Sequence, residues 1–194
     1  MERSLGATAS VGELARAVET GDGRLVCSFL GTDSIFGLSP AVFASTSIDL
    51  RLTILVGAVT PLVHGRDLAR GVAMGEALLL TARRVLMSAP TRISAENYGS
   101  AADLVATVWQ RLGRQAEVVA LARDAAPAIL QLTNGYRSTS LAARGVDSLI
   151  ELGRLDEAQA LLEEAKRYDG ECLINPLKLQ RAQNNILIEV GKAG

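Results

Sequence analysis

The sequence predicts an all-α fold, an α-α superhelix in which antiparallel helical hairpins stack in series as a solenoid, and three observations carry that prediction. Ala and Leu dominate the apolar residues while aromatics make up only 4% of the 194 positions, a composition of strong helix formers suited to close helix packing. Gly followed by a basic residue recurs after apolar, helix-favouring stretches, at Gly65-Arg66, Gly113-Arg114, Gly153-Arg154 and Gly191-Lys192, at intervals of 48, 40 and 38 residues. On either side of these pairs apolar residues repeat every three or four positions, the period of a helix with one buried face. Gly enters the left-handed conformation that ends a helix at no steric cost, so each pair reads as the turn of a hairpin. With 48% hydrophobic and 21% charged residues the chain can fill a core and is not expected to be disordered.

Taken in order, residues 1–48 are expected to form a helical or irregular N-terminal segment packing on the solenoid, and residues 49–194 the repeats. Ser10 to Thr20 reads as a short helix with Ser10 as its N-cap. Leu25 to Leu38 mixes Val, Phe, Ile and Gly; helix, strand and loop are all compatible with that mixture, and helix is the reading adopted. The first repeat, about 51–90, opens on the longest apolar run, Leu52 to Val63, where Pro61 predicts a helix that kinks or ends early. The second, about 99–132, places Ala106 and Trp109 before Gly113, and Ala122 and Ala125 after it. The third, about 139–170, is the clearest, with Leu141, Gly145, Leu149 and Leu152 before Gly153, and Leu155, Ala158, Leu161, Leu162 and Ala165 after it. A partial fourth, 177–194, supplies one helix and reaches its turn at Gly191.

The stretch LIELGRLDEAQALLEEAKRYDGE, residues 149–171, resembles a tetratricopeptide repeat across its turn: Leu-Gly-Arg, two residues, Glu-Ala, then a spaced Leu and Ala. The resemblance implies small residues where the helices of a hairpin cross, and Ala158 and Ala165 stand at those places with Leu162 between them. The second unit departs from the pattern with Val118 for the first alanine, and the first unit with Arg70. A spacing near forty, against about 34 for the ordinary repeat, is similar to the longer-repeat type of bacterial signalling regulators. Resemblance to that family implies a concave groove lined by the first helix of each hairpin, and a protein- or peptide-binding scaffold or adaptor, or the regulatory repeat region of a longer signalling protein.

The groove so placed has named residues. Lys178, Arg181, Asn184 and Asn185 occupy nearby turns of the last helix; Asp103, Thr107 and Gln110 hold the corresponding face of the second unit, and Asp147, Ile150 and Glu151 that of the third. Amides can pair with peptide N–H and C=O groups while Arg and Lys supply charge-assisted bonds to carboxylates. A solvated face of a terminal helix is the alternative reading of the Lys178 to Asn185 set. In the first unit the same positions are Leu55, Val59 and Leu62, a patch expected to be covered, by the N-terminal segment, because proteins seldom leave such surfaces bare.

Several function classes are disfavoured. The formal net charge of −1 provides no field to gather phosphates, so no nucleic-acid partner is expected. The apolar run at Leu52 to Val63 is too short against the roughly 20 residues a membrane span requires, so no membrane insertion is expected. No basic start followed by an apolar stretch marks a secretion signal, and a cytoplasmic location is expected. Cys27 and Cys172 stand alone and the chain has one histidine, so no metal site is expected. Neither GxGxxG nor GxxxxGK[ST] occurs, and no cofactor is expected.

His64 precedes the turn at Gly65, where it reads either as a general base or as a cation complementing a helix C-terminus, and the second reading is favoured. Cys27, in an apolar neighbourhood, is expected to be buried and inert. A small helical enzyme using His64 or a cysteine is therefore the weakest of three functions. A receptor whose groove takes a small molecule or short peptide stands between it and the scaffold.

Overall fold

The computed structural model describes residues 9–65, 67–133, 136–169 and 176–193. Among them the fold is all-helical, and the only strand-like pairing is an isolated bridge between Ile35 and Leu38. The chain divides into two compact units, Met1–Asn97 and Tyr98–Gly194.

In the first unit lie α1 (Val11–Thr20), α2 (Gly23–Leu30), α3 (Pro40–Ser45), α4 (Ile48–His64) and α5 (Leu68–Ser88), with the start of α6 (Arg92–Arg111). Ser10 caps α1 as its sequence position predicts: its hydroxyl accepts from the Glu13 amide at 3.2 Å, and the Glu13 carboxylate accepts from the Ser10 amide at 2.8 Å. That reciprocal pair satisfies two amides the helix itself cannot, and the bonds from Ser10 hold the Glu13 carboxyl below its ordinary range. The apolar stripe Leu14, Ala15, Ala17 and Val18 is buried, and α1 packs on α5 and α4.

The far end of α1 is held by α4. Arg51 donates to the carbonyls of Val18 at 2.7 Å, Glu19 at 2.8 Å and Thr46 at 3.0 Å, placing a cation where the last carbonyls of a helix lack partners. Charge-assisted bonds of this kind contribute about 1.5–3 kcal/mol each when a partner is otherwise stranded. Arg51→Ala is accordingly expected to lower folding stability by about 2–3 kcal/mol, measured as a shift of the urea midpoint with an unchanged slope.

Two features of this unit differ from the sequence reading. Leu25 to Leu38 is not one helix: α2 stops at Leu30, Gly31 turns left-handed at φ 70°, and Ile35 and Leu38 exchange two backbone bonds of 3.0 Å around a tight turn. Both central residues of that turn have positive φ, Phe36 at 49° and Gly37 at 77°, as a primed two-residue turn requires. Of the two readings at Pro61, a kink or an early end, the early end is the one that fails, since α4 continues to His64. Pro61 sits in the last turn, where its missing N–H forfeits only the bond to the Gly57 carbonyl. Gly65 follows, extended rather than left-handed at φ −91°. Glycine suits it for another reason, since a Cβ there would lie 2.7 Å from the Pro61 carbonyl oxygen. Arg66 lies outside the described residues.

The second unit comprises the remainder of α6 with α7 (Gln115–Leu130), α8 (Tyr136–Glu151), α9 (Leu155–Asp169) and α10 (Pro176–Ala193). Its two predicted turns have the same construction. Gly113 and Gly153 are left-handed at φ 72° and 71°. Arg114 N–H closes on the Trp109 carbonyl and Arg154 N–H on the Leu149 carbonyl, both at 2.9 Å, while each glycine bonds three residues back. This is the Schellman arrangement, which only glycine enters without strain. Each arginine then pairs with a glutamate three residues on, Arg114–Glu117 at 3.0 Å and Arg154–Glu157 at 2.6 Å. Those bonds hold both glutamate carboxyls below their ordinary range, with Arg123 adding to the effect at Glu157.

Helix α8 is the centre of this unit, packing against α7, α9 and α10. The core runs through Val119 of α7, Ala142, Val146 and Leu149 of α8, Ala158, Leu161, Leu162 and Ala165 of α9, and Leu179, Ala182 and Ile186 of α10. Gly145 lets α8 approach on two sides: a Cβ there would lie 2.8 Å from Ala122 Cβ and 2.9 Å from Leu161 Cδ2. Gly191, read from the sequence as a fourth turn, instead lies within α10, which runs on to Ala193 without a positive φ. No helix among them is long and apolar enough to cross a membrane.

Candidate functional site

In the second unit, polar residues of α6, α8 and α10 converge. On α8 the face is Ser140, Arg144, Asp147, Ser148 and Glu151, positions that return to one side of a helix every three or four residues. Arg144 is the hub. Its Nε donates to Asp103 Oδ1 at 2.7 Å and an Nη to Gln110 Oε1 at 2.9 Å, both on α6. Gln110 returns its amide to the Arg144 carbonyl and to Ser148 Oγ, each at 3.2 Å. Ser148 donates to Gln115 Oε1 at 2.9 Å, and the Gln115 amide donates to Glu151. Ser140 Oγ donates to Asp103 Oδ1 at 3.2 Å.

From α10, Lys178 Nζ reaches Ser140 Oγ at 2.8 Å and Asn185 Nδ2 reaches Asp147 Oδ1 at 3.1 Å. Between α8 and α10 opens a cavity of about 170 Å³ lined by Ser140, Ala143, Arg144, Asp147, Lys178 and Arg181. The Arg144–Asp103 pair has side chains less than a third exposed, at 29% and 23%, so water screens it less than a surface pair and it fixes the floor of the site. Lys178 and Arg181 are exposed at the rim. The cavity lining itself carries Arg144, Lys178 and Arg181 against Asp147, with Asp103 and Glu151 set back in the surrounding network; the lining cations suit a carboxylate or backbone carbonyls, while Asp147 can accept from a peptide N–H.

Of the residues singled out from sequence, Lys178, Arg181 and Asp147 line this cavity; Asp103, Gln110, Asn185 and Glu151 are tied into the network around it. Thr107 bonds back to the Asp103 carbonyl within its own helix at 2.7 Å, and Asn184 is exposed. Sequence reasoning missed Ser140, Arg144, Ser148 and Gln115. A signal existed for three of them, since Ser140 and Arg144 lie seven and three residues before Asp147 and Ser148 borders it. Stepping back along the helix from Asp147 recovers that stripe.

The first-unit positions do not belong to such a face. Leu55 and Val59 are fully buried among the helices of that unit, and Leu62 is half-buried. His64 is exposed at the C-terminal end of α4. Cys27 is buried, and burial first, then the negative charge of Asp33, pushes its thiol up, away from thiolate chemistry. Cys172 lies outside the described residues. Among the described residues no group of three His, Cys, Asp or Glu is placed to hold a metal ion.

In comparisons with known proteins, no family model matches this sequence, and neither a curated protein nor a solved structure matches it significantly.

Proposed function

We propose that the chain is a protein- or peptide-binding scaffold of the tetratricopeptide-like type, with hairpins stacked as an α-α superhelix, serving a bacterial cytoplasmic signalling protein as adaptor or regulatory repeat region. Two like-built turns forty residues apart, at Gly113 and Gly153, support the repeat. The observation that carries the function is the convergence of polar side chains from α6, α8 and α10 on one cavity, with Arg144 held at its floor and Lys178 and Arg181 exposed at its rim. Side chains fixed by mutual hydrogen bonds lose little freedom when they engage a ligand. A peptide laid across α8 would present carbonyls and a carboxylate to the cations and an amide to Asp147.

Panning a phage-displayed library of random peptides against the whole chain tests this. Peptides should be enriched, and Lys178→Glu with Arg181→Glu should weaken their capture at least tenfold, about 1.4 kcal/mol, with helicity unchanged. Capture that survives the double charge reversal would remove the site from the function.

A further inference from the structure

We infer that the first unit carries a separate binding site for a small planar aromatic molecule bearing one hydrogen-bond donor, of the indole class, between the Ile35–Leu38 turn and the last turns of α4. A cavity of about 280 Å³ lies there, walled by Leu30 and Ile35 on one side and by Ala58 and Leu62 on the other. An apolar cavity of about 150 Å³ holds benzene, so the volume admits a fused bicycle. Its wall is not wholly apolar. Pro61 has no N–H to give the Gly57 carbonyl, four residues back, and both residues line the cavity. The Ser34 hydroxyl, also in the wall, has no hydrogen-bond partner among the described residues, whereas the Thr32 hydroxyl is engaged with the Ser34 carbonyl at 2.8 Å. An N–H or O–H on the ligand would have the Ser34 hydroxyl in the wall as its acceptor.

Phe36 makes the case specific. It is the one non-glycine residue with positive φ among the described residues, at 49°, and its side chain is exposed, at 69%. A bulky side chain in the left-handed region is strained, and an exposed ring gains little burial in return. The first central position of a primed turn prefers Asn, and Gly37 already supplies the second. The ring instead lies on Gly57, with two of its carbons 3.0 and 3.1 Å from where a Cβ would stand. Both the strained backbone and the missing side chain at position 57 thus let the ring lie against α4 as part of the cavity wall. Strain kept at a residue that contributes little to packing points to a ligand, and a ring face is what a planar aromatic stacks against.

Titrating the ¹⁵N-labelled full chain with indole, and separately with indene, which has the same shape but no donor, tests the site. Indole should give saturable shifts at the amides of Phe36, Gly37 and Ala58, and indene should bind at least fivefold more weakly. Phe36→Asn, which creates an Asn-Gly turn, should raise the melting temperature of the free chain by a few degrees and weaken indole at least tenfold. Absence of saturation at millimolar indole, equal affinity for indene, or a lower melting temperature for Phe36→Asn would each overturn the inference.

Discussion

Ala158→Glu is expected to unfold the Tyr98–Gly194 unit at ordinary temperature. Ala158 is fully buried in the core shared by α7, α8, α9 and α10, five residues after the Gly153 turn. A glutamate there must bring a carboxylate and two methylenes among Val146, Leu149 and Leu162 with no partner for its charge. Burying an unpaired ionisable group costs several kcal/mol even after it takes up a proton, against the roughly 5–15 kcal/mol that stabilises a whole domain. The far-UV melting curve should lose its main transition or shift down by well over 10 °C. Ala160, two residues along, is exposed, so Ala160→Glu should change stability by no more than about 0.5 kcal/mol. Equal effects from the two would mean that α9 presents a different face to the core.

Gly145→Val should be nearly as damaging, for a steric reason. The Cβ collides with Ala122 Cβ, which cannot rotate away, and with Leu161 Cδ2, which can do so only by leaving its own core position. Overpacking of this kind costs about 1–3 kcal/mol for one obstruction; with two neighbours displaced and α8 forced away from both α7 and α9, about 3–4 kcal/mol is expected by chemical denaturation. The contrast is Gly191→Ala. Nothing lies within 4 Å of a Cβ at that position and its backbone is helical, so the change should leave stability unaltered or raise it by up to about 1 kcal/mol through helix propensity. A marked loss at Gly191→Ala would restore the turn that the sequence pattern first suggested.

The parts of the fold that were legible are those whose causes are local. Gly113 and Gly153 end helices through bonds spanning six residues, so Leu-Gly-Arg followed by Glu suffices to place them. Ser10 with Glu13 is likewise complete within four residues. The failures had non-local or unusual causes. Gly65 and Gly191 carry the same dipeptide pattern, but one is chosen for the approach of the Pro61 carbonyl and the other sits in a helix that runs on. The turn at Phe36 has no sequence signature because Phe-Gly stands where Asn-Gly would mark such a turn. Val118 and Arg70, which broke the alanine pattern, are accommodated differently: Val118 is fully buried, while Arg70 is half-buried and pairs with Asp67 at 3.3 Å.

The polar site divides the same way. Helical spacing groups Asp103 with Gln110, Asp147 with Glu151, and Lys178 and Arg181 with Asn185, each set on its own helix; that the three helices share one face was implied only by the resemblance to the tetratricopeptide family. Which of them bond to one another depends on helix packing, and so Arg144, whose partners lie 34 and 41 residues away in sequence, could not be recognised as the hub.

The most direct test of the binding account is a chemical-shift titration of the ¹⁵N-labelled chain with a peptide enriched by panning. The account predicts perturbations concentrated at Ser140–Glu151 of α8 and Lys178–Asn185 of α10, with smaller ones near Asp103 and Gln110. Perturbations confined to the exposed residues of α7 and α9, such as Arg123 and Glu164, with α8 and α10 silent, would contradict it.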